Sequence, residues 1–313
     1  PFPLMVDYLA ITGGVGGAKL ALGLAQVLPA DKVAFAVNTG DDFEHLGFAI
    51  SPDIDTLTYT LSDLANKELG WGREDESWAF MDALEQLGGE TWFRLGDRDL
   101  ALHAFRTAAL AAGKSLTEVT AQICRRLGIE QAVLPMSDDP VRTTVHTPDG
   151  PLAFQHYFVR DRCQPAVTGF EFRGAEAATL NPRIEALLPQ LKGVINCPSN
   201  PVVSVDPLHS IHGTRAKLAA LDVPVVAVSP IVGGTAIKGP TAKMMAELSI
   251  TSTAAAVADH YAGLIDGIVL DDQDASLVGT LNVPSTATQS VMLTLADRIA
   301  LAEATLEFLS SLR

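Results

Sequence analysis

In the stretch ITGGVGGAKL, residues 11–20, four glycines (Gly13, Gly14, Gly16 and Gly17) surround one valine and are followed by Lys19. Glycine adopts backbone conformations closed to other residues and lets a ligand lie against the main chain. Where such a segment runs from a strand into a helix, the first unpaired N–H groups and the positive end of the helix dipole make a phosphate site. The alternative is a tight turn that binds nothing. The pattern GGxGGxK is neither GxGxxG nor GxxxxGK[ST], so a nicotinamide cofactor or ATP is not its natural ligand.

Carboxylates follow in VNTGDDFEHLGFAISPDIDTLTY, where Asp41, Asp42, Glu44, Asp53 and Asp55 crowd a short segment after the second apolar run. Alone they would repel a phosphate. With a hard divalent cation they would help to bind one, because Mg²⁺ takes one or two carboxylates together with phosphate oxygens of the substrate. Asp55 can alternatively accept the proton of an attacking hydroxyl, and Asp53 can cap the helix that SPDIDTLTYTL opens.

Further along, FRLGDRDLALHAFR carries Arg94, Asp97, Arg98, Asp99, His103 and Arg106. Alternating charge of this kind is what an exposed helix face shows, and His103 is expected to be structural. Arg94 and Arg98, flanking Gly96, can also grip an acidic group bidentately. In INCPSNPVVSV, Pro198 and Pro201 bracket Ser199 and Asn200. A held amide can read a heteroaromatic edge, although the same residues make ordinary turns. VSPIVGGTAIKGPTAKMM adds Gly233, Gly234, Lys238, Gly239 and Lys243 as a second cationic, glycine-containing loop.

These residues need a frame that gathers them at one edge. The runs YLAIT (8–12), KVAFAVN (32–38), KGVINC (192–197), VPVVAVS (223–229) and DGIVLD (266–271) are apolar throughout, as buried parallel strands are. Helical spacing predicts a helix over 17–28 and a long closing helix through Met292, Leu295, Ile299, Leu306 and Leu309. The alternation implies an α/β fold with a Rossmann-like, doubly wound, mostly parallel sheet. Residues 5–55 and 176–313 form the expected core. Residues 56–175 are mostly a cap insertion, or part of a single integrated domain. The cap has helices near 56–66, 76–87, 100–112 and 116–127, and TTVHT and LAFQHYF are joined through Pro148, Asp149 and Gly150 as a β-hairpin.

Composition narrows the class. The 313 residues carry a formal charge of −15, whereas nucleic-acid backbones are held by clustered Lys and Arg. Cys124, Cys163 and Cys197 show no paired spacing, which argues against a disulfide framework or zinc knuckle. No apolar run approaches the roughly 20 residues of a membrane span, and PFPLMVDYLA lacks the basic-then-apolar order of a signal peptide. A cytoplasmic protein that binds neither nucleic acid nor membrane is expected.

Taken together, TGGVGGAKL, NTGDD, SPDIDT, LGDRD, LPMSDDPV, PSNPVVSV and VSPIVGG…KGP…K, in order from residue 11 to about 271, resemble the CofD family. Its members are 2-phospho-L-lactate transferases of coenzyme F420 biosynthesis. The resemblance implies a Rossmann-like core with a cap, often a homodimer. The implied reaction passes a phospho-acid group from a guanosine diphosphate-activated donor to the deazaflavin alcohol Fo, with Mg²⁺ assisting and GMP leaving. By resemblance, Asp55 and Arg94 are the deazaflavin contacts, and the glycine and PSNP segments lie near the guanosine diphosphate. Val15 and Gly17 stand where relatives with GGTGT have threonines, so main-chain contacts must suffice there.

The site expected from both lines of argument gives Asp42 and Asp55 the magnesium ion, with Asp55 also near the nucleophilic hydroxyl. Gly14, Gly16, Gly17, Lys19, Ser199, Asn200, Gly234 and Lys243 surround the nucleotide, Asn200 reading guanine, and Arg94 anchors Fo. The alternatives are a non-catalytic nucleotide-sugar-binding protein of the same superfamily and an NAD-dependent oxidoreductase. The latter lacks the third glycine and has VNTG where a ribose-binding acid belongs.

Overall fold

The computed structural model describes residues 6–67, 71–236 and 240–312. In chain order its strands are Tyr8–Thr12 (β1), Val33–Val37 (β2), Phe43–His45 (β3), Phe48–Ile50 (β4), Ala132–Pro135 (β5), Arg142–Thr147 (β6), Gly150–Ala153 (β7), Gly169–Arg173 (β8), Gly193–Asn196 (β9), Val225–Val228 (β10), Ile231–Val232 (β11), Thr235–Ala236 (β12), Gly267–Asp271 (β13) and Ser285–Thr288 (β14). The helices are Gly14–Val27 (α1), Pro52–Leu61 (α2), Ala79–Gln86 (α3), Asp97–Ala111 (α4), Leu116–Arg126 (α5), Pro182–Leu187 (α6), Asp206–Ser210 (α7), Thr214–Ala219 (α8), Thr241–Glu247 (α9), Ala254–His260 (α10) and Leu295–Ser311 (α11).

Among the described residues, seven strands form the central sheet in the order β14-β13-β10-β9-β1-β2-β5. Every neighbouring pair in it is parallel. Alternate residues feed two separate cores. Leu9, Ile11, Ala34, Leu134, Val194 and Ile268 pack on one face with Ile184, Leu208 and Val257 from α6, α7 and α10. Ala10, Val33, Phe35, Val37, Ile195 and Val226 pack on the other with Leu20, Leu24, Leu57 and Leu301 from α1, α2 and α11. Burial on both faces is why these strands are apolar at every position.

From β1 the chain winds outward through β2 to β5, then returns to β9 on the other side and winds through β10 and β13 to β14. The direction reverses between β1 and β9. In doubly wound sheets the crevice outside the strand carboxyl ends at such a reversal is the ligand site, and the glycine segment and the PSNP loop both end there.

The cap holds α3, α4, the antiparallel pair β3–β4 and a second sheet ordered β7-β6-β8. The expected hairpin across Pro148–Gly150 is present, but its second strand stops at Ala153 and residues 156–160 form a π-helical turn instead of LAFQHYF extending as strand. The segment 56–175 is not purely cap, since β5 pairs with β2 in the central sheet. The helix expected over 17–28 begins at Gly14, so three of the four glycines lie in its first turn.

Helix α1 runs so close to α11 that a Cβ on Gly23 would stand 2.1 Å from the carbonyl oxygen of Arg298. Neither backbone can yield cheaply. Gly23→Ala is therefore expected to destabilise the protein by about 1–3 kcal/mol. The shift should be read as a lower denaturant midpoint at unchanged slope.

Candidate active site

The glycine segment is shaped first by the protein's own packing. Gly13 is extended and Gly14 is left-handed at φ +64. A Cβ on Gly16 would lie 2.5 Å from the Pro198 carbonyl oxygen, and one on Gly17 would lie 2.3 Å from Thr12 Oγ1 and 2.5 Å from Ser199 Oγ. The Ser199 hydroxyl accepts from the Gly13 N–H at 3.1 Å and donates to the Gly13 carbonyl at 2.8 Å. One side chain thus clasps the β1 and β9 ends together, and Ser199 is spent on that task.

Asp53, at the second position of α2, does not cap its own helix. Its Oδ1 accepts the Gly14 N–H at 2.8 Å, and its Oδ2 accepts from Asn38 Nδ2 at 2.8 Å. A carboxylate of the protein therefore occupies the first amide of α1, where the helix dipole favours negative charge. The N–H groups of Val15 and Gly16 also lie in the first turn, which a helix cannot pair internally.

Around this point Asp41, Asp42, Asp53 and Asp55 are all buried. Burial drives the Asp41 carboxyl well above the usual range, and the charges of Asp53 and Asp42 push it further. Burial raises Asp42 to about 7, opposed by the charge of Arg142 and by the hydrogen bond from Ser51, whose hydroxyl donates to Asp42 Oδ2 at 2.8 Å. Asp53 is raised as well, chiefly by burial. Asp41 Oδ1, Asp42 Oδ1, Thr39 Oγ1 and Asn196 Oδ1 are buried without a hydrogen-bond partner. Buried polar atoms are ordinarily paired, so the unpaired oxygens of the adjacent Asp41 and Asp42 make the end of β2 a candidate ligand site.

Asp55 is different. Arg106 Nη1 donates to Asp55 Oδ2 at 3.1 Å, Nη2 donates to Oδ1, and His103 Nδ1 lies 3.7 Å from Oδ2. Arg106 is fully buried. Its place in a run of alternating charge reads as solvent-facing, and that is why the sequence conceals it.

The other expected residues divide. Arg94 is exposed and stacks over the Trp78 ring at 4.5 Å. Asn200 is consumed by its own loop: its Oδ1 accepts from Val202 N and Val203 N, and its Nδ2 donates to Thr241 Oγ1 at 3.1 Å. Lys19 Nζ donates to the Met292 carbonyl at 2.8 Å. Lys243 reaches away to the cap, bonding Glu247 at 2.6 Å and the Pro165 carbonyl at 3.0 Å. Gly234 is exposed at φ +79, while Lys238 and Gly239 lie outside the described residues. Among the described residues no three His, Cys, Asp or Glu side chains form a ready-made metal cage, and no helix is long and apolar enough to cross a membrane. The two orphaned carboxylate oxygens of Asp41 and Asp42 nevertheless suit a hard cation that takes its remaining ligands from substrate. Asp55, already matched to Arg106, suits one less.

A Rossmann-like α/β core with a buried acidic cluster beside its strand reversal defines the class. The particular family follows from similarity: the family described as 2-phospho-L-lactate transferase CofD matches residues 9–299, and the chain belongs to it. A phosphoenolpyruvate transferase of Kitasatospora aureofaciens is 39% identical over 302 residues, 94% of each chain. A 2-phospho-L-lactate transferase of Methanosarcina mazei is 36% identical over 266 residues, 85% of this chain and 87% of that one. A crystal structure of a UPF0052-family protein of Bacillus halodurans shares the fold at a TM-score of 0.63 and 14% identity, covering 96% of this chain and 99% of that one. The protein is a transferase of this family, as the sequence motifs lead one to expect.

The raised Asp42 carboxyl has a consequence for stability. A carboxyl whose folded value lies above its unfolded value of 3.8 holds the fold best when protonated in both states. It loses that contribution as pH rises from about 3.8 through about 7. Asp42→Asn should melt close to wild type at pH 4 and above it at pH 8, with the gap opening across that window. Thermal melts over a pH series measure it, and a gap that closes with rising pH would refute the assignment.

Proposed function

We propose that the protein transfers a three-carbon phospho-acid group, of 2-phospho-L-lactate, phosphoenolpyruvate or 3-phosphoglycerate type, from its guanosine diphosphate-activated donor to the deazaflavin Fo. The products are the F420 precursor without glutamates and GMP. The observation that carries this reading is the set of orphaned buried atoms at the strand reversal, Asp41 Oδ1, Asp42 Oδ1, Thr39 Oγ1 and Asn196 Oδ1, in a chain of the CofD family. Relatives named for phosphoenolpyruvate and for 2-phospho-L-lactate are similar to nearly the same degree, so the acid is left at that class.

In this reading the ribityl hydroxyl of Fo attacks the phosphorus that bears the acid. A new P–O bond to Fo forms, the P–O bond to GMP breaks, and the hydroxyl proton leaves by way of a carboxylate. Such transfers depend on positioning and on neutralising charge on the phosphoryl oxygens. The diphosphate lies against the Val15 and Gly16 amides, while Gly14 keeps its bond to Asp53. Asp42, with Asp41, would hold Mg²⁺, which when bound offsets phosphoryl charge. Asp55 accepts the hydrogen bond of the attacking hydroxyl, since each carboxylate oxygen retains a lone pair beyond the one Arg106 uses. The exposed guanidinium of Arg94, backed by Trp78, anchors the deazaflavin. The cap shields the donor from water, which would waste it by hydrolysis.

The test is product mass spectrometry with Fo and each of the three guanylylated acids. Fo-dependent GMP release with a mass gain on Fo is expected from at least one. Asp55→Ala should lower turnover by at least about 10²-fold, the low end for lost acid–base assistance, while GDP still binds. Mg²⁺ with GDP should raise the melting temperature of wild type more than that of Asp42→Asn. Absence of transfer with all three donors would overturn the reading.

A further inference from the structure

We propose that Arg106 is the positioning residue of the transfer reaction: it fixes Asp55 in the one orientation that receives the nucleophilic hydroxyl. The inference rests on the function proposed above and adds a residue to it.

Arg106 lies on α4, in the cap, and Asp55 lies on α2, against the core. Both terminal nitrogens of the guanidinium engage the two oxygens of Asp55 as a fork. Nη1 also approaches the carbonyl of Ala49 on β4 at 3.3 Å and His103 Nδ1 at 3.3 Å. His103 in turn sets its Nε2 3.1 Å from Asp99 Oδ2, and the Tyr59 hydroxyl donates to Asp99 Oδ1 at 2.5 Å. Asp55 and Tyr59 are four apart on one helix; Asp99, His103 and Arg106 follow at four and three on the other. Their facing sides therefore form one polar ladder.

A ladder of this kind is a poor way merely to join two helices. Well-packed apolar residues of the same volume hold buried elements as well or better. What the ladder adds is geometric. A forked guanidinium holds a carboxylate in one orientation, and the Ala49 carbonyl and the His103 ring set the guanidinium in turn. Among the four buried carboxyls at this edge, Asp55 is the one gripped by a buried cation. Asp41 and Asp42 keep unpaired oxygens, and Asp53 is held by neutral N–H donors. The fixed carboxylate is thus set apart from those free to meet a metal ion.

The experiment is a double-mutant cycle on the full-length protein with Asp55→Asn, Arg106→Gln and the double variant. Turnover, KM for Fo and GDP affinity are each measured with Mg²⁺ below the melting temperature of every variant. Each single change should lower kcat by roughly 10²-fold, the cost typical of a misplaced catalytic group, with GDP affinity unchanged. The double variant, whose two neutral amides can still bond each other, should be no slower than Asp55→Asn alone. Arg106→Lys, which keeps the charge but loses the fork, should also lose at least tenfold in kcat, and it decides the matter should Arg106→Gln fail to fold. Undiminished kcat in Arg106→Gln or Arg106→Lys, or losses that multiply in the double variant, would overturn the inference while leaving wild-type transfer intact. A wild type that transfers nothing removes the reading itself, and this inference with it.

Discussion

The closeness of β1 to β9 at their carboxyl ends governs the rest of the architecture. The two strands are far apart in the chain and adjacent in the sheet, and each must send its chain away from the same point. Helix α1 leaves β1 with its first turn pressed on the loop after β9, leaving no room for a Cβ at Gly16 or Gly17. Ser199 locks the junction through both polar groups of Gly13. The glycines that look like a ligand's requirement are thus in the first place a requirement of two loops that touch. A site placed here inherits their rigidity, and catalysis by positioning needs groups that do not move.

Electrostatics set the second condition. Four carboxyls share a buried edge with one buried arginine, which pairs with Asp55, while the charge of Arg142 only partly offsets the burial of Asp42. Burial and mutual repulsion push Asp41, Asp42 and Asp53 toward protonation. Such crowding is unfavourable, and a positively charged partner would relieve it. Perturbed carboxyls are a recognised mark of functional sites, and here the unpaired oxygens belong to Asp41 and Asp42.

How much of this the sequence discloses varies with the physics involved. Five central strands are legible because a strand buried on both faces must be apolar throughout. β5 and β14 are not: one is a four-residue run ending in proline, and the other, Ser-Thr-Ala-Thr, borders the sheet with half-exposed polar residues. The crowding of carboxylates at the edge of the glycine segment follows from spacing, whereas the strand order, and with it the reversal between β1 and β9, does not. Arg106 does not, because alternating charge along α4 looks the same whether the helix meets water or a buried acid. Nor does the fate of Asn200 and Ser199, whose proline-flanked loop reads as a held platform, yet whose side chains are used up by nearby backbone and, for Asn200, by Thr241.

Asp53 joins the glycine clasp to the acidic edge. Its carboxylate rests on the first amide of α1, beside the clasp and among the other acids. A bare diphosphate approaching that helix would find its first amide already taken by Asp53. Under the function proposed above, a divalent cation bound with the diphosphate would offset that crowding at Asp41 and Asp42, and the acidic edge would then favour an anion with its metal over an anion alone.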